Sequence, residues 1–235
     1  MLPSIIHHNF IDSDQLDHIA QSIFADNNKY DDLDDVEDGS KILSSFYYTW
    51  KFYSSQFRHI RDVLLPKFQE ISKLNLVVDH SHILDSMVPY SVHSDWFQER
   101  MILKKLKPAY TIIIPLDTYP TSTLAFHQNG KIKIFTDYIK QEQPPKMEDE
   151  LKIPIELRNK YLSHISNDTL DYLSIKEIFG WKKGSVYFCD RRHYHCSDNY
   201  LAQGITGKRA LIFWTSLPRD GETDSISPDS TADLR

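Results

Sequence analysis

Cysteine and long apolar runs are both scarce in this sequence. The 235 residues include two cysteines, Cys189 and Cys196, which excludes a disulfide framework and favours a reducing, cytoplasmic setting. No apolar stretch approaches the roughly 20 residues that cross a bilayer. The first residues lack the basic region and apolar stretch of a signal peptide. We therefore expect a cytoplasmic protein that does not engage a membrane.

Several other signals are also missing. The sequence contains no Gly-rich phosphate loop, no strand–helix–strand nucleotide-binding unit and no internal repeat. A strong charge of one sign is absent from most of the chain, although the net charge is −6. Six acidic residues lie within Asp31–Asp38 and five in the segment 219–235, so the rest holds 25 basic and 22 acidic residues. This near balance gives no argument for nucleic-acid binding.

The order of predicted elements indicates helices followed by a β-rich core. Asp12 can cap a first helix, and apolar spacing predicts a second helix over Ser55–Lys73. From residue 74 onward, short β-rich segments alternate with turn residues, and Asn129-Gly130 is a hairpin signal. The strands predicted before the next helical region are Leu74–Asp79, Ile83–Ser94, Ala109–Asp117, Ser122–Gln128 and Lys131–Thr136.

A helical insertion is predicted over residues 141–180, with helical patterns at Ile155–Ile165 and Ser174–Phe179. Two further strands follow, Ser185–Asp190 and Arg209–Thr215. We predict one domain over residues 1–218, mainly β with flanking helices. Its parts are a helical N-terminal support (about 1–73), a core (about 74–217) that contains the insertion, and a disordered tail (219–235).

Three separated pieces of sequence carry residues suited to metal chemistry. In a strand, His93 and Asp95 point to the same side, as two ligands of one metal should. A hundred residues later, a predicted strand leads into a turn that carries His193 and His195, either of which could be a third ligand. Arg209 opens an otherwise apolar strand, where a guanidinium needs an anion such as a carboxylate. Each residue also has an ordinary structural explanation, so the interpretation depends on their joint occurrence.

The order of these pieces over about Tyr90–Thr215 resembles the 2-oxoglutarate/Fe(II)-dependent dioxygenase superfamily. The stretch from His195 to Arg209 is most similar to the phytanoyl-hydroxylase and prolyl-hydroxylase-like branches. The resemblance implies a double-stranded β-helix core, also called a jelly roll and cupin-like. It further implies a hydroxylase that oxidises a C–H bond while 2-oxoglutarate and O2 become succinate and CO2. The implied cofactors are Fe(II) and 2-oxoglutarate, with ascorbate as an optional addition.

The resemblance also assigns roles to individual residues. His93, Asp95 and His195 would bind and use the iron, and His195 is preferred over His193 because its distance to Arg209 fits the family better. Arg209 would pair with the C5 carboxylate of 2-oxoglutarate. The other candidate contacts for that carboxylate are Thr111 and Ser197.

Two other classes of protein fit parts of the pattern. A cupin-type metalloenzyme would use the metal ligands without 2-oxoglutarate, and a non-catalytic jelly-roll binding protein would need neither. A structural zinc site fits less well, since no Cys-x-x-Cys spacing is present. As the primary substrate we expect a small molecule or a peptide rather than a nucleic acid. The sequence identifies neither that substrate nor the oligomeric state.

Overall fold

The structure is a computed structural model, and the residues it describes are 1–25, 55–96, 106–130 and 132–218. The acidic stretch Asp31–Asp38 and the tail predicted over 219–235 lie outside these residues. Within them, the helices are α1 (Ser13–Ala25), α2 (Ser55–Ser72), α3 (Phe135–Glu142), α4 (Ile155–Tyr161) and α5 (Asn167–Leu170). The strands are β1 (Ile5–His7), β2 (Val77–Ser86), β3 (Leu106–Pro115), β4 (Ser122–Asn129), β5 (Ile175–Gly180), β6 (Val186–Asp190), β7 (His193–Ser197) and β8 (Lys208–Pro218).

Two antiparallel sheets form the core of the protein. The larger has the order β1-β6-β3-β8-β2 and the smaller the order β5-β4-β7. His93 extends the small sheet through isolated antiparallel bridges to His195 and Ile134. Residues of both sheets meet in one buried cluster, in which Ala125 and Phe179 of the small sheet pack against Ile212 of the large one. This arrangement confirms the predicted class, a mainly β jelly roll with flanking helices.

Three apolar layers result from the alternation of side chains along the strands. On β8, Leu211 and Phe213 point outward and pack under α1 and α2, where the Phe213 ring lies 5.1 Å from that of Phe68. Ala210 and Ile212 point between the sheets. A third layer covers the outer face of the small sheet beneath α3, α4 and α5. The interior between the sheets therefore has a packed core on each outer side.

The structure corrects three of the local predictions. Ile175–Gly180 was predicted as part of the helical insertion, but it is strand β5 and pairs with β4. Of the strand predicted over Lys131–Thr136, the described residues 132–136 form none: Ile134 makes an isolated bridge to His93, and Phe135 begins α3. The N-terminal support is not purely helical, since β1 pairs with β6. Periodicity does not separate short strands from short helices, so tertiary pairing decides such segments.

Among the described residues, no helix combines the length and apolar character that crossing a membrane requires.

Candidate metal centre

The three predicted metal ligands meet between the two sheets. His195 lies in the middle of β7, and His93 faces it across an antiparallel bridge whose N–H···O distances are 3.0 and 2.8 Å. His93, Asp95 and His195 each offer one ligand atom, and these three atoms lie within 4.8 Å of one another. Nε2 of His195 is 3.3 Å from Oδ2 of Asp95, and Nε2 of His93 is 4.0 Å from Oδ1. These atoms converge on a single point, as the ligands of one ion do.

Hydrogen bonds fix the orientation of both imidazole rings. Nδ1 of His93 lies 2.8 Å from the Ser91 carbonyl, and Nδ1 of His195 lies 3.1 Å from the His193 carbonyl. Because a carbonyl only accepts, each Nδ1 carries a proton and donates it. Each Nε2 therefore keeps its lone pair for the shared point, an arrangement typical of metal-binding histidines.

The carboxylate ligand is also held by its neighbours. Thr111 of β3 donates its hydroxyl to Oδ2 of Asp95 at 2.5 Å, and the Asp95 N–H donates to the Arg191 carbonyl at 3.1 Å. Asp95 is 5% exposed, so its charge would be costly without these donors and a cation. The site thus presents an oriented carboxylate that lacks a counter-charge from Lys or Arg at ion-pair distance among the described residues.

The electrostatics of the cluster favour metal binding near neutral pH. Desolvation, reinforced by His195, lowers the pKa of His93 to about 4, so this imidazole is neutral and able to ligate. Burial opposes ionisation of Asp95, but His195 and the other neighbours outweigh it and hold the pKa of Asp95 well below its usual value. Burial would lower the pKa of His195, yet Asp95 outweighs it and raises that pKa. His195 is therefore the ligand at which a proton competes most with a metal.

The donor set fits a divalent iron-type ion. Two imidazoles and one carboxylate on one face leave three positions of an octahedral metal open for other ligands. The nearby Cys189 is buried, which raises the pKa of its thiol to about 12, so it stays protonated and does not supply a thiolate. His193, the alternative third ligand, lies with Nε2 2.8 Å from the Lys176 ammonium and is not part of the cluster.

The structure does not bring Arg209 to this cluster. Arg209 shares the outward face of β8 with Leu211 and Phe213, and its guanidinium makes a bidentate pair with Asp117 at 2.9 Å for both contacts. Its side chain is 41% exposed. The outward position follows from the alternation of side chains, because inward-facing residues on β8 have even numbers.

Lys208, the preceding residue, is the basic residue that points inward. It is 1% exposed, and its ammonium crosses from the large sheet to donate to the Ser122 carbonyl of the small sheet at 3.2 Å. The ammonium also lies over the rings of Trp181 (4.1 Å) and Tyr200 (5.2 Å). No carboxylate of the described residues is within ion-pair distance of it. Burial lowers the pKa of Lys208 to about 8, although the nearby Asp198 carboxylate acts in the opposite direction.

The positions of Lys208 and the metal ligands define two ends of one interior. Ser197 lies two residues beyond His195 on the inner face of β7 and is buried. The Asp198 N–H, one residue further, donates to the same Ser122 carbonyl that accepts from Lys208. Three residues of strand span about 10 Å. Ser197 thus lies between the metal cluster and the buried ammonium, while Thr111 lies at the metal end.

Two elements of this site escape sequence reasoning. Lys208 was missed because β8 is apolar on both faces. The sequence of the strand therefore does not show which of Lys208 and Arg209 points inward. Arg191 was missed because nothing in a turn sequence predicts that its side chain reaches Asp95.

Comparisons with known proteins support the fold. No protein-family model matches the chain, and neither does any curated protein sequence. Among solved structures, a carbocyclase of nogalamycin biosynthesis, SnoK, has a TM-score of 0.55 and 12% identity, covering 91% of this chain and 79% of its own. The epimerase SnoN of the same biosynthesis has a TM-score of 0.55 and 8% identity, covering 91% and 76%. Both are described as non-heme alpha-ketoglutarate-dependent enzymes.

AviO1 from Streptomyces viridochromogenes is a further similar structure, with a TM-score of 0.50, 10% identity, and coverage of 92% of this chain and 90% of that one. At such identities the likeness shows the jelly-roll fold and its extent along the chain. The chemistry of this protein must be argued from its own residues.

Proposed function

We propose that this protein is an Fe(II)- and 2-oxoglutarate-dependent oxygenase. The observation that carries the proposal is the buried cluster of His93, Asp95 and His195, whose ligand atoms converge on one point. The buried ammonium of Lys208 at the other end of the same interior supports the second half of the proposal. A metal alone would not require that cation, whereas a dicarboxylate co-substrate would.

The residues divide the binding of co-substrate and metal between two ends. His93, Asp95 and His195 would hold the iron, with His195 losing its proton on binding. Lys208 would pair with the distal carboxylate of 2-oxoglutarate, replacing Arg209 in the role predicted from the sequence, and Ser197 lies on the path between the two ends. Thr111 would orient Asp95 through its hydroxyl. When bound, the iron would let O2 act as the oxidant: one oxygen atom would enter succinate, released with CO2 from 2-oxoglutarate, and the other would enter the product.

We further propose that the reaction is hydroxylation of a C–H bond in a small molecule or a peptide. A cleft of about 560 Å³ is lined by Trp96, the residue after Asp95, and by other aromatic, amide and charged side chains, although none of the three cluster residues lines it. Its volume is in the range of small-molecule sites. Tyr138 supplies an aromatic wall and Glu142 a carboxylate, while the Arg192 guanidinium is already paired with Asp190; this lining suits a polar substrate of modest size.

The test is an anaerobic titration of the metal-free protein with Fe(II) and then 2-oxoglutarate, followed through the visible iron-to-ketoacid charge-transfer band. We expect the band in the wild type and its loss in His93→Ala, Asp95→Ala and His195→Ala. His127→Ala is the matched control, because His127 is an exposed histidine on β4 outside the cluster, and the band should persist there. Iron binding without a band would favour a cupin-type metalloenzyme, and absence of iron binding would favour a non-catalytic jelly roll.

A further inference from the structure

Arg191 is a buried arginine next to the metal cluster that the proposed chemistry does not use. It lies in the turn between β6 and β7 and is 1% exposed, which makes it one of the largest fully buried side chains among the described residues. Its own N–H donates to the Ala109 carbonyl of β3 at 3.0 Å. A guanidinium stays charged in proteins and is costly to bury, so its contacts need an explanation.

One end of the Arg191 side chain holds the backbone of a metal ligand. Nε of Arg191 donates to the Asp95 carbonyl at 3.1 Å, and the Asp95 N–H donates to the Arg191 carbonyl at 3.1 Å. Both backbone groups of Asp95 are thus bound by a single residue. Because β7 begins two residues after Arg191 and carries His195, this residue connects the segments of two of the three ligands.

The other end of the guanidinium is anchored in the large sheet. Nη1 donates to Oδ2 of Asp79 on β2 at 2.6 Å and to the Thr215 carbonyl on β8 at 3.2 Å. Ser216 also contacts both members of the pair, since its Oγ accepts from Nη1 at 3.4 Å and donates to Asp79. The Asp79 side chain is 7% exposed, so the ion pair is shielded from water. The guanidinium therefore has a fixed direction that points Nε at Asp95.

We propose that Arg191, held in place by Asp79, is a positioning residue for the metal ligand Asp95. The inference rests on the proposed function, because it takes Asp95 to be a ligand. Its physical basis is that residues 87–96 form no helix or strand apart from the bridges at His93, so regular structure does not fix Asp95. Metal ligands need placement within about 0.5 Å, which buried partners of the ligand supply.

An arginine suits this task better than a lysine. Its planar fork donates through Nε and Nη1 in directions set by one rigid group, so the carbonyl of Asp95 and the carboxylate of Asp79 are bound together. The ammonium of Lys is a single point on a flexible chain. Arg191→Lys would keep the ion pair with Asp79 and lose the directed contact with Asp95.

The chain contains a closely matched control. Arg158 on α4 is also buried, and its Nε donates to the Ile153 carbonyl at 2.9 Å while Nη1 donates to Asp171 at 3.1 Å. It therefore has the same bonding pattern as Arg191. No hydrogen bond or ion pair among the described residues links it to a metal ligand.

The experiment measures Co(II) binding to the metal-free protein and the d–d absorption spectrum of the Co(II) form, together with the urea unfolding midpoint without metal. We expect Arg191→Met to weaken Co(II) binding by about 10- to 100-fold and to change the d–d spectrum. Arg158→Met should lower the unfolding midpoint but leave the affinity within about twofold and the spectrum unchanged, because the loss of a buried partner there is purely structural. Arg191→Lys should keep most of the stability and still bind Co(II) weakly.

The double variant Asp79→Leu/Arg191→Met separates positioning from stability. Replacing both members of a buried ion pair with apolar residues commonly restores stability. We expect the unfolding midpoint to recover while Co(II) affinity stays low and the spectrum stays altered. Recovery of both affinity and spectrum would overturn the proposal, as would wild-type affinity and spectrum in a folded Arg191→Met or Arg191→Lys variant.

Failure of the proposed function gives a different result. If the wild type itself binds neither Fe(II) nor Co(II), Asp95 is not a ligand and both proposals fall. If the wild type gives the charge-transfer band and the Arg191 variants match it in Co(II) affinity and spectrum, the oxygenase proposal stands and the positioning role alone is overturned.

Discussion

The two faces of strand β8 differ in what they contact. On the outward face, Leu211 and Phe213 are fully buried beneath the N-terminal helices, and the Phe213 ring packs on Phe68. On the inward face, Ala210 and Ile212 line the interior shared with the metal cluster, and Trp214 lies at the level of Thr111. Neighbouring residues of β8 therefore stabilise the fold on one face and line the interior near the candidate metal site on the other.

The basic residues at the start of β8 show the same division. Arg209 forms an exposed pair with Asp117, whereas Lys208 is buried between the sheets without a carboxylate partner at ion-pair distance among the described residues. One position along the strand thus separates a surface ion pair from an anion-binding candidate. Substitutions one residue apart should consequently affect different measurable properties.

A substitution on the outward face of β8 should have the strongest effect, and this effect is on stability. Phe213→Ala removes a fully buried ring from the core under α2, and we expect a loss of about 3–5 kcal/mol in the free energy of unfolding. The folded fraction should still give the charge-transfer band with Fe(II) and 2-oxoglutarate. Urea unfolding and anaerobic absorption spectra check both parts. If Phe213→Ala lost the charge-transfer band while its stability stayed unchanged, the two faces of β8 would not have separate roles.

A substitution on the inward face of β8 should instead weaken the binding of the co-substrate. In Lys208→Met, the distal carboxylate loses its buried partner, and we expect 2-oxoglutarate to bind about 30-fold or more weakly. Iron binding should remain, because Lys208 lies outside the cluster of His93, Asp95 and His195. Anaerobic titration of the band gives the affinity.

Arg209→Met is the paired control. Its ion pair is exposed, so we expect a change of about 0–1 kcal/mol in stability and little change in 2-oxoglutarate affinity. The opposite result, in which Arg209→Met weakens 2-oxoglutarate binding and Lys208→Met does not, would restore the assignment made from the sequence.

The smallest expected effect is a pH dependence. The pKa of Lys208, lowered to about 8 by burial, means that the ammonium is protonated below that pH and loses its proton above it. Since the anion needs the charged form, 2-oxoglutarate affinity should be constant below about pH 8 and fall above it, by up to about tenfold per pH unit. Lys208→Arg keeps its charge and should show no such fall. Equilibrium binding from pH 7 to 9.5 tests this, and an equal fall in both proteins would contradict it.

The order of predicted elements indicated the fold class, and three separated motifs indicated the candidate metal ligands. His93 and Asp95 were placed on a predicted strand over Ile83–Ser94, which ends at Ser86 in the structure; isolated bridges hold His93 instead, and the two side chains still reach one cluster. His195 follows from the order of pieces shared with a known superfamily. The structure places all three together, with His195 rather than His193 in the cluster.

The rest of the site depends on tertiary contacts that local rules do not contain. The choice between Lys208 and Arg209 depends on the register of β8 against β3, which the apolar residues on both faces leave undetermined. The contact from Arg191 to Asp95 joins residues 96 positions apart. β5 was mistaken for a helix because its pairing with β4 is also long-range.

In the proposed function, one interior binds a metal at one end and the distal carboxylate of 2-oxoglutarate at the other. The most direct measurement compares the charge-transfer band of the anaerobic Fe(II) protein during titration with 2-oxoglutarate and with 2-oxopentanoate. The second ligand has the same chain length and chelating group but no distal carboxylate. We predict the band with both, and half-saturation with 2-oxopentanoate at a concentration at least about 30-fold higher. Equal half-saturation concentrations, or no band with either ligand, would contradict the account.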